Sequence, residues 1–148
     1  MQPETQYARL GRDQIAYQTI GEGPLVLVNA PGSFSHADVV FEDPAAVLYY
    51  RRLASFCKVV HFDRRETRLR RGAAGRPAAV GELYIEELTA VLDAVGVERA
   101  AILAMFDAGP MAILFAATTP QRTSTWSPAP SARPARAKPD GPCDGSRH

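Results

Sequence analysis

The chain has 148 residues, a hydrophobic share of 46%, a charged share of 22% and a formal net charge of +1. This length and composition are typical of one globular domain, and the near-neutral charge predicts no strong attraction to nucleic acid or to an anionic membrane. No apolar run approaches the roughly 20 residues of a membrane span. The first residues lack the basic and apolar stretches of a secretory signal, so we expect a cytoplasmic protein. Cys57 and Cys143 are far apart and lack metal-ligand spacing, so we expect no metal or cofactor.

The N-terminal segment predicts three strands. Residues 7–10 and 14–20 flank a Gly-Arg-Asp turn, which predicts an antiparallel hairpin. Residues 25–28 form a continuous apolar run, as expected for a strand that is buried on both faces. A Pro-Gly pair at Pro31 predicts the end of this strand.

The middle of the chain predicts a helix, a strand and a second helix. Asp43 followed by Pro44 predicts the N-cap and first position of a helix that runs to about Ser55. Residues 59–62 predict a second buried strand, and a basic loop follows it. The apolar residues of the next segment repeat with helical spacing over 80–95, and Gly96 predicts a left-handed residue at its C-terminal end.

The last predicted elements are a buried strand at 100–105 and an apolar helix at 109–118. Strands that alternate with helices imply an α/β fold with a parallel sheet, whose ligands bind at the carboxyl ends of the strands. We predict a domain at residues 1–123 and a disordered tail at residues 124–148. That tail contains five prolines and no Val, Ile, Leu, Phe or Met, so it can bury little apolar surface.

The order of these motifs resembles the α/β-hydrolase family. The hairpin, the Gly-x-Gly-Pro turn and the apolar strand ending in Pro-Gly are similar to the start of that fold. Residues 59–65 resemble its strand ending in Asp-x-Arg, and residues 101–120 resemble its nucleophile strand, elbow and following helix. The likeness covers roughly residues 6–123 and is greatest to esterase- and lipase-like bacterial members, some joined to adenylate-cyclase domains. It implies a truncated α/β-hydrolase-like sheet and a small acyl- or ester-like ligand.

The elbow departs from the chemistry that this resemblance implies. The fold places a serine at the centre of a small-x-Ser-x-small turn, and this register aligns Ala104, Phe106 and Ala108. Phe106 therefore replaces the serine, and its side chain has no nucleophilic atom. A shift by one residue offers Asp107, and carboxylate nucleophiles occur in related dehalogenase-like members. That shift puts the long side chain of Met105 at a small position, so we favour a turn or capping aspartate and expect no catalytic residue.

The other parts of the catalytic machinery are incomplete as well. The Pro-Gly pair predicts that the backbone amides of Ser33 or Phe34 point into an oxyanion hole. The loop after the second buried strand lacks both glycines of the family's Asp-x-Arg-Gly-x-Gly. No histidine has the late position of the catalytic base, and we interpret each as a core or exposed residue. The histidines are His36, His61 and His148.

The predicted tail also bears on assembly. Because it follows the last helix directly, residues 101–105 would form an exposed sheet edge, which predicts instability, aggregation or a homo-oligomer. The abrupt change in composition near Thr123 suggests a truncated or frameshifted relative. Three functions remain open: a non-catalytic pseudoenzyme, which we favour; a weak or partner-completed hydrolase that uses Asp107; and a binding or interaction protein that uses the sheet edge.

Overall fold

The computed structural model describes residues 3–30, 32, 40–64 and 80–128. Within these ranges it contains six strands and three helices whose full length is described. The strands are β1 (Thr5–Leu10), β2 (Asp13–Ile20), β3 (Val26–Ala30), β4 (Lys58–Phe62), β5 (Ala100–Ala104) and β6 (Thr123–Pro128). The helices are α1 (Pro44–Ala54), α2 (Val80–Val95) and α3 (Gly109–Thr118). Short 3-10 turns occupy Phe106–Ala108 and Pro120–Arg122.

The six strands form one mixed sheet in the order β1-β2-β4-β3-β5-β6. The pairs β1–β2 and β2–β4 are antiparallel, whereas β4–β3, β3–β5 and β5–β6 are parallel. This arrangement confirms the predicted N-terminal hairpin and the parallel α/β sheet. Strand β5 lies between β3 and β6, so the turn that follows it is one strand in from the β6 edge of the sheet.

The helices cover opposite faces of the sheet. Successive residues of a strand point to opposite faces, and the core divides accordingly into two clusters. The larger cluster packs α2 and α3 on one face, with Val28, Leu88 and Phe115 among its members. The smaller cluster packs α1 on the other face and includes Tyr50 and Cys57. Cys57 is buried there, and its thiol donates to the Leu53 carbonyl oxygen at 3.2 Å.

The helix ends follow the capping residues that the sequence contains. The Asp43 carboxylate accepts a hydrogen bond from the Ala45 amide at 3.0 Å, so the predicted N-cap of α1 is confirmed. Helix α2 ends at Gly96, whose φ of +74° is left-handed. The Gly96 amide donates to the Asp93 carbonyl at 3.1 Å, and the Val97 amide donates to the Leu92 carbonyl at 3.0 Å. This pair of bonds is the Schellman motif.

The structure corrects two expectations at the C-terminal side of the sheet. The predicted disorder is wrong for residues 124–128, because Thr123–Pro128 forms β6, and the predicted exposed edge at β5 is wrong because β6 covers it. Strands pair through backbone hydrogen bonds, so an extended segment without aliphatic side chains can still pair with β5. Two threonines and a tryptophan also favour extended backbone. Residues 129–148 lie outside the described residues, and the domain boundary near 123 otherwise stays a prediction.

Among the described helices, none combines the length and the apolar character that crossing a membrane requires.

Candidate functional site

The turn after β5 has the strand, tight turn and helix that the sequence predicts for an elbow. Strand β5 ends at Ala104, Met105 is extended with φ −101° and ψ 138°, and a 3-10 turn leads into α3. The turn is closed by the Ala108 amide, which donates to the Met105 carbonyl at 2.9 Å. Ala104 and Ala108 are both buried. The two small positions therefore serve close packing, and Phe106, the residue that the sequence register predicts at the nucleophile position, begins the turn.

The elbow lies directly beside the carboxyl end of β3. The Met105 amide donates to the Ala30 carbonyl at 3.0 Å, which holds the two chain segments together. Asp107, the alternative nucleophile, is exposed in the 3-10 turn. Ser33 and Phe34, the predicted oxyanion-hole residues, lie outside the described residues.

A buried hydrogen-bonded cluster lies at the carboxyl ends of β3 and β4, on the face of the sheet that α1 covers. The Asn29 side-chain amide donates to the Tyr50 hydroxyl oxygen at 2.6 Å, and the same oxygen lies 2.9 Å from Nδ1 of His61. The Tyr50 hydroxyl therefore accepts from Asn29 and forms a hydrogen bond with His61 Nδ1. One tyrosine hydroxyl thus joins β3, β4 and α1.

A second tyrosine connects this cluster to the elbow. The Tyr49 hydroxyl donates to Oδ1 of Asn29 at 3.4 Å and lies 3.9 Å from the sulfur of Met105. The Tyr49 and Tyr50 rings meet edge to face, with centroids 5.2 Å apart. Met105, which precedes the predicted nucleophile position, therefore packs against this hydrogen-bonded network.

The cluster is part of a polar row that crosses four strands. In the strand registers Thr5 is opposite Gln18, Gln18 is opposite His61, and His61 is opposite Asn29. Directly opposed residues share one face of a sheet, so these four side chains lie on the same side. The Gln18 side-chain amide donates to the Thr5 hydroxyl at 2.8 Å, while Oε1 of Gln18 is buried with no hydrogen-bond partner in the described part of the chain.

Burial keeps the cluster uncharged at neutral pH. Desolvation lowers the pKa of His61 to about 4, although a hydrogen bond with the Asn29 backbone acts in the opposite direction. Desolvation also raises the pKa of Tyr50 and of Tyr49 above the usual range. The histidine is therefore a neutral, hydrogen-bonded core residue, as the sequence predicts, and its buried imidazole serves structure.

A second polar group lies on the other face, where β4 ends. The guanidinium of Arg64 stacks 5.5 Å above the centre of the Tyr84 ring, which packs against Phe62 with centroids 6.4 Å apart. Burial raises the pKa of Tyr84, opposed by the charge of Arg64 and reinforced by that of Glu87. The first arginine of the predicted basic loop is thus packed on an aromatic ring, whereas residues 65–79 lie outside the described residues. No group of three His, Cys, Asp or Glu side chains in the described ranges could hold a metal ion.

Solved structures similar to this chain share one architecture. An α/β-hydrolase from Sphaerobacter thermophilus is 26% identical with a TM-score of 0.61, and the match covers 83% of this chain and 44% of that one. An epoxide hydrolase from Vigna radiata is 18% identical with a TM-score of 0.61, over 86% of this chain and 38% of that one. The described chain has the α/β-hydrolase fold. A carboxylesterase from Bacillus subtilis also matches, with 16% identity, a TM-score of 0.59, and coverage of 85% and 42%.

The similarity concerns the fold and only part of each hydrolase. The chain spans about two fifths of the length of these α/β-hydrolases. No family model matches the sequence, and no curated protein is significantly similar to it. The predicted resemblance to α/β-hydrolases is nevertheless confirmed at the level of architecture.

The sequence pattern does not predict the tyrosine cluster. The apolar run at residues 25–28 stops before Asn29, whereas Asn29 is buried within β3. A buried polar residue at the end of an apolar run needs a hydrogen-bond partner, so Asn29 was the one sign in the sequence that a polar cluster lies here. The identity of that partner depends on the strand order, which the sequence pattern does not specify.

Proposed function

We propose that this chain is a non-catalytic protein with the α/β-hydrolase fold, a pseudoenzyme of esterase- or lipase-like lineage. The observation that carries this proposal is the strand, turn and helix of the elbow, in which the sequence register assigns Phe106 to the nucleophile position. Acyl transfer in this fold requires an oxygen or carboxylate nucleophile at the tip of the turn. A phenyl ring cannot form the covalent intermediate.

The histidine near the elbow supports the same conclusion. A general base must reach the proton that it removes and must have a pKa near the working pH. His61 lies within β4, its Nδ1 is occupied by Tyr50, and burial lowers its pKa to about 4. Moving this imidazole to the elbow would break the bond to Tyr50 and disturb the sheet.

A carboxylate nucleophile at Asp107 is the alternative that keeps hydrolysis. Its side chain is exposed, whereas the site of a covalent carboxylate nucleophile must hold substrate and exclude competing water. We therefore assign Asp107 to the polar surface of the turn rather than to catalysis.

The experiment compares the 148-residue chain with its Asp107→Ala variant on p-nitrophenyl acetate and p-nitrophenyl butyrate. We expect both proteins to release p-nitrophenol at the rate of an equal concentration of urea-unfolded chain, since neither presents a nucleophile. Turnover by the unmodified chain that the Asp107→Ala substitution abolishes would establish the carboxylate mechanism and overturn the proposal.

A further inference from the structure

The Gln18 side chain in β2 is fully buried, yet only one end of its amide has a partner. Gln18 is 0% exposed, and its Nε2 donates to the Thr5 hydroxyl oxygen at 2.8 Å. Oε1, the other end of the amide, is buried and has no hydrogen-bond partner among the residues that the structure describes. Because a buried carbonyl oxygen loses its hydration on folding, nearly all such groups in folded proteins are hydrogen-bonded.

Exchanging the two ends of the amide does not complete its bonding. After a rotation of 180°, Thr5 would pair with Oε1, and the Nε2 group would be the end without an acceptor. The single hydroxyl of Thr5 serves one end of the amide in either orientation. Gln18 therefore needs a second partner in the core, and that partner must be able to donate to an oxygen or accept from a nitrogen.

The side chains that follow Gln18 along the strand do not supply this partner. The next residue of β2 on the same face is Ile20, which is opposite Val59 of β4. Both side chains are buried and apolar, so they close this side of Gln18 without offering a hydrogen bond. A partner for the amide must therefore lie along the polar row rather than along the strand.

The polar row provides the surroundings that a buried water molecule requires. Thr5 and His61 are both opposite Gln18 in the strand registers, one on each side. Directly opposed Cβ atoms are about 4.5 to 5.5 Å apart, so these three polar side chains share one small region. Buried waters are held by about two to four hydrogen bonds, and they occur beside polar groups that the protein itself leaves unpaired.

Water fits the chemistry of the unpaired amide better than an ion does. Thr5 and Gln18 are neutral, and burial lowers the pKa of His61 to about 4, so this part of the row is uncharged at neutral pH. An uncharged site offers no counter-charge to an ion, whose desolvation is costly. A water molecule is neutral and both donates and accepts, so it matches the amide in either orientation.

We propose that one water molecule is bound in the core at the unpaired end of the Gln18 amide. It hydrogen bonds to Gln18 and lies between β2 and β4, beside His61. The polar row then continues through this water from Thr5 in β1 to the buried cluster at the carboxyl ends of β3 and β4. The site is separate from the elbow, so it stands whether or not the chain hydrolyses esters.

Oxygen-17 relaxation dispersion tests the site, because it counts the water molecules that stay in a protein for longer than the protein takes to tumble. We expect the 148-residue chain to hold one more long-lived water than its Gln18→Leu variant, whose side chain has a similar volume and no polar end. Gln14→Leu is the matched control, since Gln14 is an exposed residue of the same strand. It should leave the number of long-lived waters unchanged, and far-UV circular dichroism should show that both variants are folded.

A second measurement uses only the unmodified chain, so it does not depend on the folding of a variant. In nuclear magnetic resonance, the side-chain amide protons of Gln18 should show direct cross-relaxation with water, with the sign of a water that is bound for longer than the tumbling time. Equal numbers of long-lived waters in the unmodified chain and in Gln18→Leu would overturn the proposal. So would an equal loss in Gln14→Leu, or no cross-relaxation between water and the Gln18 amide protons.

Discussion

Replacing Tyr50 by Phe removes one oxygen atom from the buried cluster and leaves the ring in place. That oxygen accepts from the Asn29 amide at 2.6 Å and lies 2.9 Å from His61 Nδ1. Both partners are buried, so neither can turn to bulk water when the hydroxyl is lost. A buried polar group left without its partner costs about 1 to 3 kcal/mol, so two such groups should lower the free energy of unfolding by about 2 to 6 kcal/mol.

Equilibrium urea unfolding at pH 7, followed by far-UV circular dichroism, measures this loss. The matched control is Tyr7→Phe, because the Tyr7 side chain is 62% exposed and should contribute little. For a domain with a total stability of about 5 to 15 kcal/mol, the Tyr50→Phe loss is large and easily resolved. If both variants unfold at the same urea concentration, the hydrogen bonds of the Tyr50 hydroxyl do not stabilise the fold.

Three further predictions concern backbone conformation, helix capping and pH. Gly21→Ala should cost about 3 kcal/mol of unfolding free energy, because Gly21 has a φ of +76° and an added Cβ would lie 2.7 Å from the Ala54 carbonyl oxygen. Gly11→Ala is the control, because Gly11 has a φ of +61° but open space around it, and it should lower the unfolding free energy by only about 1 kcal/mol. Equal losses of the two variants in thermal melts would show that the contact between position 21 and Ala54 does not matter. Asp43→Ala should cost about 1 kcal/mol in urea unfolding through the lost N-cap of α1, whereas Asp43→Asn should keep most of it. Burial lowers the pKa of His61 from 6.5 to about 4 in the folded chain. As the pH falls below 6.5, the imidazole of the unfolded chain takes up a proton while that of the folded chain does not, which favours unfolding. The free energy of unfolding should therefore be unaffected by His61 above pH 6.5 and fall by up to about 3 kcal/mol toward pH 4. The same slope in His61→Asn would show that other groups cause it.

Local chemistry made much of the fold predictable. Helix α2 occupies residues 80–95 and α3 occupies residues 109–118, as their patterns predicted, because apolar periodicity and terminal residues act within a few positions of each other. Asp43 and Gly96 mark helix ends for the same reason. The hairpin and the buried strands were also found, with bounds that differ by one or two residues at most of their ends.

The features that escaped prediction depend on distant partners. Strand β6 exists because β5 offers it backbone hydrogen bonds, so its own composition says little. The polar cluster joins residues that are 11 to 21 positions apart, and only the order β2-β4-β3 brings them together. At the elbow, the backbone turn was predictable from Ala104 and Ala108, while the lack of catalysis that we propose rests on one side chain at position 106.

Esterase turnover by the Phe106→Ser variant is the most direct test of the account, measured with p-nitrophenyl butyrate against the unmodified 148-residue chain. The variant restores the hydroxyl at the predicted nucleophile position and leaves His61 engaged with Tyr50. Because a serine without a base is a poor nucleophile, we expect the variant to hydrolyse the ester no faster than the unmodified chain. A clear gain in turnover that follows saturation kinetics would contradict the account, since it would show that a competent base already lies at the elbow.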